Sequence, residues 1–380
     1  MISDVKKIKV LYRNVEVGIL QSDPASGICV FEYDKSWLSE GFSIYTTELP
    51  LQSGLFYGDK DKFGGSFAIF EDSLPDGYGL YLIDRILRRQ NRSLRELTPL
   101  QRLSIIGKDG MGALSYIPMM PDIKHQRELE GDSELDMLQE EALKVLSERN
   151  GDATLLYYNS ANSGGARPKT AMRADDGSHW LVKFRHTYDS SDIGKQEYLY
   201  MRTAEECGIT IPRIALINNR YFAIERFDID PDGLRRHVVT AAALLKTDFR
   251  KQDVDYTNLL ALTGYLTQDP MQVEEMFKRM VMNIVSINKD DHSKNFSFIC
   301  EEGKWSLAPA YDITYSPLGS NGEHSTSLFY NGNPGLDLVL KAGTGIHIPE
   351  SKCLEIIDIV ERTCEKNLPV TNKLIGKRKE

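Results

Sequence analysis

The run NKDDHSKNFSF, from Asn288 to Phe298, gathers two carboxylates, a histidine, a lysine and a side-chain amide in one short polar stretch. Asp290 and Asn295 stand in the spacing Asp-x-x-x-x-Asn, and a further Asp312 follows in LAPAYDI. In phosphoryl-transfer enzymes of the protein-kinase type, an Asp that accepts the substrate hydroxyl proton precedes a metal-binding Asn by that spacing, and a later Asp also binds metal. Mg²⁺ takes hard oxygen ligands and commonly only one or two carboxylates plus substrate phosphates. The spacing assigns Asp290 to the proton and Asn295 and Asp312 to the metal, and leaves Asp291 as a solvated loop residue. Taken alone, the match is weak: a polar turn with side-chain-to-backbone hydrogen bonds explains it as well.

The other parts of such a site occur in a compatible order. SGGARPKT supplies Gly164 and Gly165, with Lys169 close behind. A phosphate cradle needs free backbone N–H groups and little side-chain bulk. The pattern is not GxxxxGK[ST], and alone it reads as a glycine turn. Lys183 lies in the apolar strand HWLVKF and is either a surface lysine with a buried stem or the strand lysine that holds nucleotide phosphates. Glu197, on the next helical stretch, is its candidate ion-pair partner or a solvated residue. In YFAIERFD, backbone groups of Glu225 and Phe227 are placed to read an adenine edge. The order of these parts, more than any one of them, points to phosphoryl transfer.

The elements that must position them read as follows. DPMQVEEMFKRMVMNIVSI carries apolar residues at Val273, Met276, Phe277, Met280, Val281, Ile284 and Val285, a helix stripe of period 3.6 that is core, capped by Asp269 and Pro270. The strands NFSFI and WSLAP follow the polar loop. Upstream, two hairpins are predicted, one turning at ADDGS between TAMR and HWLVKF, the other at NN between IALI and RYFAIERF. GKQEYLYMRTAEECGI reads as a helix ending at Gly208. The first third is rich in short strands, KIKVLYRNVEVGIL and GICVFEY, followed by the turn SLPDGYG and a helix near GLYLIDRILRRQ. The polar MMPDIKHQRELEGDSE is a linker, and ELDMLQEEALKVLSE is an amphipathic helix. The expected architecture is α/β: a β-rich N-terminal domain over 1–119, then a bilobal core with an ATP-binding lobe over 120–230 and a mostly helical catalytic lobe over 231–380.

The 380 residues carry a formal net charge of −9, with 41% hydrophobic and 27% charged residues. A body this acidic is not built to coat nucleic acid by charge alone. No apolar run approaches the roughly 20 residues a bilayer span needs, and the N-terminus lacks the apolar core of a signal peptide, so a cytoplasmic location without membrane contact is expected. The five cysteines form no CxxC pair and read as reduced, buried thiols. The histidines lack HExxH spacing, which disfavours a metal-dependent hydrolase.

The motifs SGGARPK, WLVKF, ERFD, NKDDHSKNFSF and LAPAYDI resemble those of the HipA-like serine/threonine kinases, and VGIL, FEY, ELPL, FEDSLPDGYG and IGKDGMGAL resemble that family's N-terminal domain. The likeness spans nearly the full chain. It implies a toxin of a toxin–antitoxin module that phosphorylates a protein hydroxyl, with an aminoacyl-tRNA synthetase as one target class. A helix-turn-helix antitoxin would be its partner, and DNA would be met only through that partner. It implies an ATP-phosphate loop over Gly164, Gly165, Ala166, Arg167, Pro168 and Lys169, with Lys183 on the phosphates. Glu225, Arg226 and Phe227 would hold adenine. His292, Ser293, Lys294, Asn295, Tyr311 and Asp312 would complete the ATP and Mg²⁺ site, and Asp290 would be the base. Where the family often carries an autophosphorylated serine, this sequence has Asn162, with Ser163 and Ser160 as shifted candidates. The alternatives are a nucleotide-binding pseudokinase acting as scaffold or corepressor with a DNA-binding antitoxin, and a small-molecule kinase of similar design, which the N-terminal domain and the GGARPK loop disfavour.

Overall fold

The structure, a computed structural model, describes residues 5–119, 127–160 and 164–375. It is a mixed α/β fold that divides into two compact units. The first comprises Met1–Ser191, Ala223–Val239 and Cys300–Gly303, the second Asp192–Phe222, Thr240–Ile299 and Lys304–Glu380.

The first unit begins with β1 (Lys7–Tyr12) and β2 (Val15–Ser22), an antiparallel pair. Arg13 and Asn14 join them at φ 48° and 67°, the paired positive values that a two-residue hairpin turn requires. Alternation drives Ile8, Val10 and Tyr12 inward. β3 (Cys29–Tyr33), α1 (Lys35–Glu40), β4 (Phe56–Tyr57), α2 (Ala68–Asp72), α3 (Gly77–Arg89), α4 (Pro99–Ile106) and β5 (Leu114–Ile117) complete this part, with sheet order β4-β3-β2-β1-β5. Thr98 and Gln101 form a reciprocal capping box on α4, with Pro99 in its first turn. β6 (Leu129–Glu130), α5 (Leu135–Leu146), α6 (Ala153–Asn159), β7 (Lys169–Arg173) and β8 (His179–Lys183) follow. β7 and β8 form the expected hairpin, turning through Gly177 at φ 83°. The segment read as a linker lies partly outside the described residues, and its described end supplies β6, which pairs in parallel with β7.

In the second unit, α7 (Ile193–Glu206) ends near Gly208, whose φ of 74° suits glycine. β9 (Ile214–Ile217) and β10 (Tyr221–Glu225) turn at Asn218 and Asn219, both at φ 52°. The division between the units runs along β10 and again along β11 (His237–Thr240). Then come α8 (Ala241–Leu244), α9 (Tyr256–Thr267), α10 (Pro270–Ser286), β12 (Ser297–Glu301), β13 (Lys304–Leu307), α11 (Leu336–Gly345) and α12 (Glu350–Asn367). α10 is the core helix of this unit. Asp269 caps its Met271 N–H, Pro270 opens it, and Met276, Phe277, Met280, Val281, Ile284 and Val285 are buried between α9 and α12. Full burial of such a side chain contributes roughly 1.5–3 kcal/mol. Asn295, read as the start of a strand, instead closes a 3₁₀ turn over Ser293–Asn295, and β12 begins at Ser297.

All five cysteines are free and buried. Among the described residues, no helix is long and apolar enough to cross a membrane.

Candidate active site

The sequence-predicted residues fall on both units, and each half is built differently. In the first unit, the β7–β8 register sets Lys169 directly opposite Lys183. Cross-strand partners share a face of the sheet, and like charges placed so are destabilising unless an anion lies near. Lys169 is buried, and its Nζ donates to the Gly164 carbonyl, so the lysine closes the glycine loop on itself. The loop is also fastened to the start of α3. Gly165 N–H donates to Asp76 Oδ1, and the Gly165 carbonyl accepts the Tyr78 N–H at 3.0 Å. Gly77, at φ 41°, must be glycine: a Cβ there would lie 2.5 Å from the Gly165 carbonyl oxygen. Next in the loop, Arg167 forks onto Asp189 through Nε at 2.9 Å and Nη2 at 3.1 Å. Burial alone would raise the Asp189 carboxyl, but this hydrogen-bonded cation outweighs it and holds the group below the usual range.

Glu225 ends β10, and Arg226 and Phe227 follow it. The Arg226 N–H donates to the His179 carbonyl at 2.7 Å, and its guanidinium binds Asp228 at 2.7 and 3.0 Å, so both are already engaged. Burial would raise the Asp228 carboxyl, but the Arg226 charge and hydrogen bonds overcome it and set it at about 2. Ser160 is buried, with its hydroxyl donating to the Tyr157 carbonyl at 3.0 Å. Ser163 and Asn162 lie outside the described residues.

In the second unit, α10 stops at Ile287, which stands at φ 58°. A β-branched residue rarely takes that conformation, and such strain persists only where surrounding structure over-determines it. The polar loop starts there. Asp290 reaches solvent with its carboxylate 60% exposed, and His292 Nε2 stands 3.9 Å from its Oδ1. Asn295 Nδ2 donates to the Asp290 carbonyl at 2.7 Å. The Tyr311 hydroxyl donates to the Lys294 carbonyl at 2.7 Å and also meets the Ser297 hydroxyl, so Tyr311 braces the loop. Ser293 is buried, its hydroxyl 3.3 Å from that of Thr247. Lys294 lies over the Phe249 ring at 4.8 Å. Asp312 takes φ 56°, a second strained position. Glu197, left open between ion pair and solvated surface, is buried on α7.

Asp291 corrects the sequence reading. It is fully buried rather than solvated. Its carboxylate accepts the Tyr256 hydroxyl at 2.6 Å, His324 Nδ1 at 2.8 Å and the Thr326 N–H at 3.2 Å. Asn283 Nδ2 donates to the Tyr256 hydroxyl at 3.0 Å, Asn288 Nδ2 donates to Asn283 Oδ1 at 2.9 Å, and the same Nδ2 approaches the Asp312 carbonyl at 3.4 Å. One polar chain thus runs from beside Asp290 to Asp312. Burial, reinforced by the Asp291 charge, pushes the Tyr256 hydroxyl well above its ordinary pKa and keeps it a donor.

Sequence reasoning missed three things here: Asp76, the Asp291 network and the opposed lysines. The hairpin register was within reach of a count outward from ADDGS, but the other two bring together residues 89 and 33–35 positions apart.

The donor set suits Mg²⁺ and a phosphorylated ligand. An Asp and an Asn oxygen are the hard donors such a cation accepts. Among the described residues, no group of three or more His, Cys, Asp or Glu could hold a metal ion by itself. His292 Nδ1 is buried without a hydrogen-bond partner, as a group awaiting a ligand would be.

Comparison with known proteins defines the class. The HipA-like C-terminal domain matches residues 161–368, and the HipA N-terminal domain matches residues 8–117. The chain belongs to the HipA-like family. A serine/threonine-protein kinase toxin HipA of Shewanella oneidensis is 21% identical over 336 residues, covering 78% of this chain and 72% of that protein. A putative kinase, Y4dM, of Sinorhizobium fredii is 23% identical over 248 residues, covering 57% of this chain and 59% of its own length. The solved HipA of Shewanella oneidensis, in complex with HipB and operator DNA, superposes with a TM-score of 0.71 at 18% identity, over 95% of this chain and 89% of that one. The fold is therefore that of HipA.

Proposed function

We propose that this chain is an ATP-dependent serine/threonine protein kinase that acts as a growth-inhibiting toxin. Residues 120–230 would bind ATP and 231–380 would carry catalysis. The observation that carries the reading is the Lys169–Lys183 opposition on one face of the β7–β8 hairpin beside a glycine loop pinned by Asp76, an arrangement of the kind that phosphate-binding sites use. Gly164 to Lys169 and Lys183 bind the phosphates, while Glu225 and Phe227 flank the adenine. Asp290 accepts the proton of the attacking hydroxyl, whose oxygen bonds to the γ-phosphorus as the bond to ADP breaks. Mg²⁺, held by Asn295 and Asp312, would neutralise charge on the β- and γ-phosphates. Positioning and electrostatics then supply most of the acceleration.

A helix-turn-helix antitoxin is the proposed partner, with DNA met only through it. The support is the family membership and the relative solved with HipB and its operator DNA. An aminoacyl-tRNA synthetase is the proposed target class. Against the pseudokinase alternative stands the residue set itself, because the sequence keeps Lys183, Asp290, Asn295 and Asp312.

The test is intact mass after incubation with Mg²⁺ and ATP, followed by transfer of labelled phosphate to cell extract, for wild type and Asp290→Asn. Transfer by wild type alone supports the kinase. Equal transfer by the variant removes Asp290 from its role, and no transfer by either favours the scaffold.

A further inference from the structure

The first unit holds a cavity of about 440 Å³ whose lining mostly lies outside the nucleotide loop. Of the predicted ATP residues its lining holds Arg226, and it also holds Ser160, a phosphosite candidate. Five cations line it, Arg13, Lys108, Arg127, Arg226 and Arg235, against the carboxylates of Asp109 and Glu128. Arg226 is offset by Asp228 and Arg127 by Glu134, each at 2.7 Å. Arg13, Lys108 and Arg235 have no carboxylate within ion-pair distance among the described residues. Arg235 is the telling one. It is half-buried, and among the described residues its guanidinium donates to the carbonyls of Gly110 and Gly112 rather than to a carboxylate. Burial, together with the Arg226 charge, lowers its pKa, so the folded protein holds it at a cost.

A second observation points the same way. His179 is 8% exposed, and its Nδ1 is fixed by both oxygens of Glu128, at 2.8 and 2.9 Å. The ring's other nitrogen, Nε2, is buried without a partner, on a side chain that lines this cavity. Buried polar atoms left so are rare and mark an absent ligand, water or ion. An anion would satisfy the guanidinium excess and the imidazole together, and the volume is that of a small-molecule pocket rather than a single-ion hole.

We propose that this cavity is a binding site for a small phosphate-bearing ligand, separate from the nucleotide loop, recognised by Arg13, Lys108, Arg235 and His179. Arg235 supplies forked donors, Lys108 and Arg13 supply charge at the mouth, and His179 Nε2 meets the phosphoryl hydroxyl or oxygen. The site does not depend on the kinase reading.

The test titrates inorganic phosphate into full-length protein labelled with ¹⁵N at histidine, with a non-hydrolysable ATP analogue present throughout to occupy the nucleotide site. The His179 signal, assigned with His179→Asn, is expected to shift and saturate. Loss of two charge-assisted contacts in Arg13→Gln/Lys108→Ala is expected to weaken the apparent affinity by about 10-fold or more. Lys108 is exposed and Arg13 half-buried, and circular dichroism checks that the double variant folds. An unmoved His179 signal up to about 10 mM phosphate, where binding would be weaker than a few kcal/mol, overturns the site. So does an identical titration curve in the folded double variant.

Discussion

The two halves of the candidate site hold their functional groups by different means. The glycine loop in the first unit is anchored through its own backbone groups: the Asp76 carboxylate takes the Gly165 N–H, Tyr78 gives its N–H to the Gly165 carbonyl, and the Lys169 ammonium folds back on the Gly164 carbonyl. The polar loop in the second unit is anchored by side chains, with a fully buried carboxylate, Asp291, at its centre. A loop that must wrap phosphates needs free N–H groups and can tolerate small adjustments. A loop that must aim one carboxylate at one hydroxyl cannot, since misplacement by about 1 Å costs on the order of 100-fold in rate. The second loop therefore carries the more costly scaffold: two strained backbone positions, Ile287 and Asp312, and a buried polar chain between them.

The largest effect expected is on chemistry alone. Asp290 is exposed, so Asp290→Asn removes the proposed base and leaves the buried Asp291 network in place. Phosphate transfer should fall by about 10²–10⁴-fold, with the thermal midpoint unchanged. A retained rate would break the assignment.

Asp291→Ala is the opposite experiment. It leaves Tyr256, His324 and the Thr326 N–H facing a void, and breaking a buried charged network of this kind costs about 3–5 kcal/mol. Urea unfolding should show the loss. If Asp291→Ala were as stable as wild type, the side-chain anchoring of this loop would be wrong. Tyr256→Phe removes one hydroxyl from the same chain, and about 1–3 kcal/mol is expected.

Acid separates the units further. In the first unit, His237 is buried with Nε2 donating to the Ile44 carbonyl at 2.7 Å, and burial lowers its pKa to about 4. Its folded pKa lies below the unfolded value of about 6.5, so the unfolded chain binds the proton first. Stability is full above pH ~6.5 and falls as pH drops toward ~4, by about 3 kcal/mol from this group. Asp228, set at about 2, adds a later loss between pH ~4 and ~2. Stability curves of wild type and His237→Gln should converge as pH falls through the first window. Parallel curves would show that His237 is not the sensor.

Much of the scaffold was legible because its signals are local. The stripe of α10 with Asp269 and Pro270 at its head, the Asn218–Asn219 turn and the β7–β8 hairpin each depend on neighbours in sequence. Asp290, Asn295 and Asp312 were singled out by spacing alone. What escaped was the role of residues whose partners are distant. Asp291 differs from Asp290 in no sequence property; only Tyr256 and His324, 35 and 33 positions away, make one a buried brace and leave the other exposed. Asp76 sat in SLPDGYG as a turn residue, and nothing local tells that its carboxylate receives the Gly165 N–H from 89 positions on. The same blindness covered Arg226, where the motif offered a nucleotide contact and the fold spends its N–H on His179 and its guanidinium on Asp228.

Asp76 also gives the finest probe of the comparison. Asp76→Ala removes the acceptor of the Gly165 N–H and leaves α3 and the Gly165–Tyr78 hydrogen bond in place. The cost to the fold should be modest, about 1–3 kcal/mol, because the freed N–H is in an open loop that water reaches. The kinetic consequence should be specific. A loosened phosphate cradle binds ATP less well in ground and transition state alike, so KM for ATP should rise several-fold while kcat changes little. The contrasting result, kcat falling with KM unchanged, would mean that the glycine loop acts only in the transition state. The distinction drawn between an adaptable phosphate loop and a rigid catalytic loop would then fail.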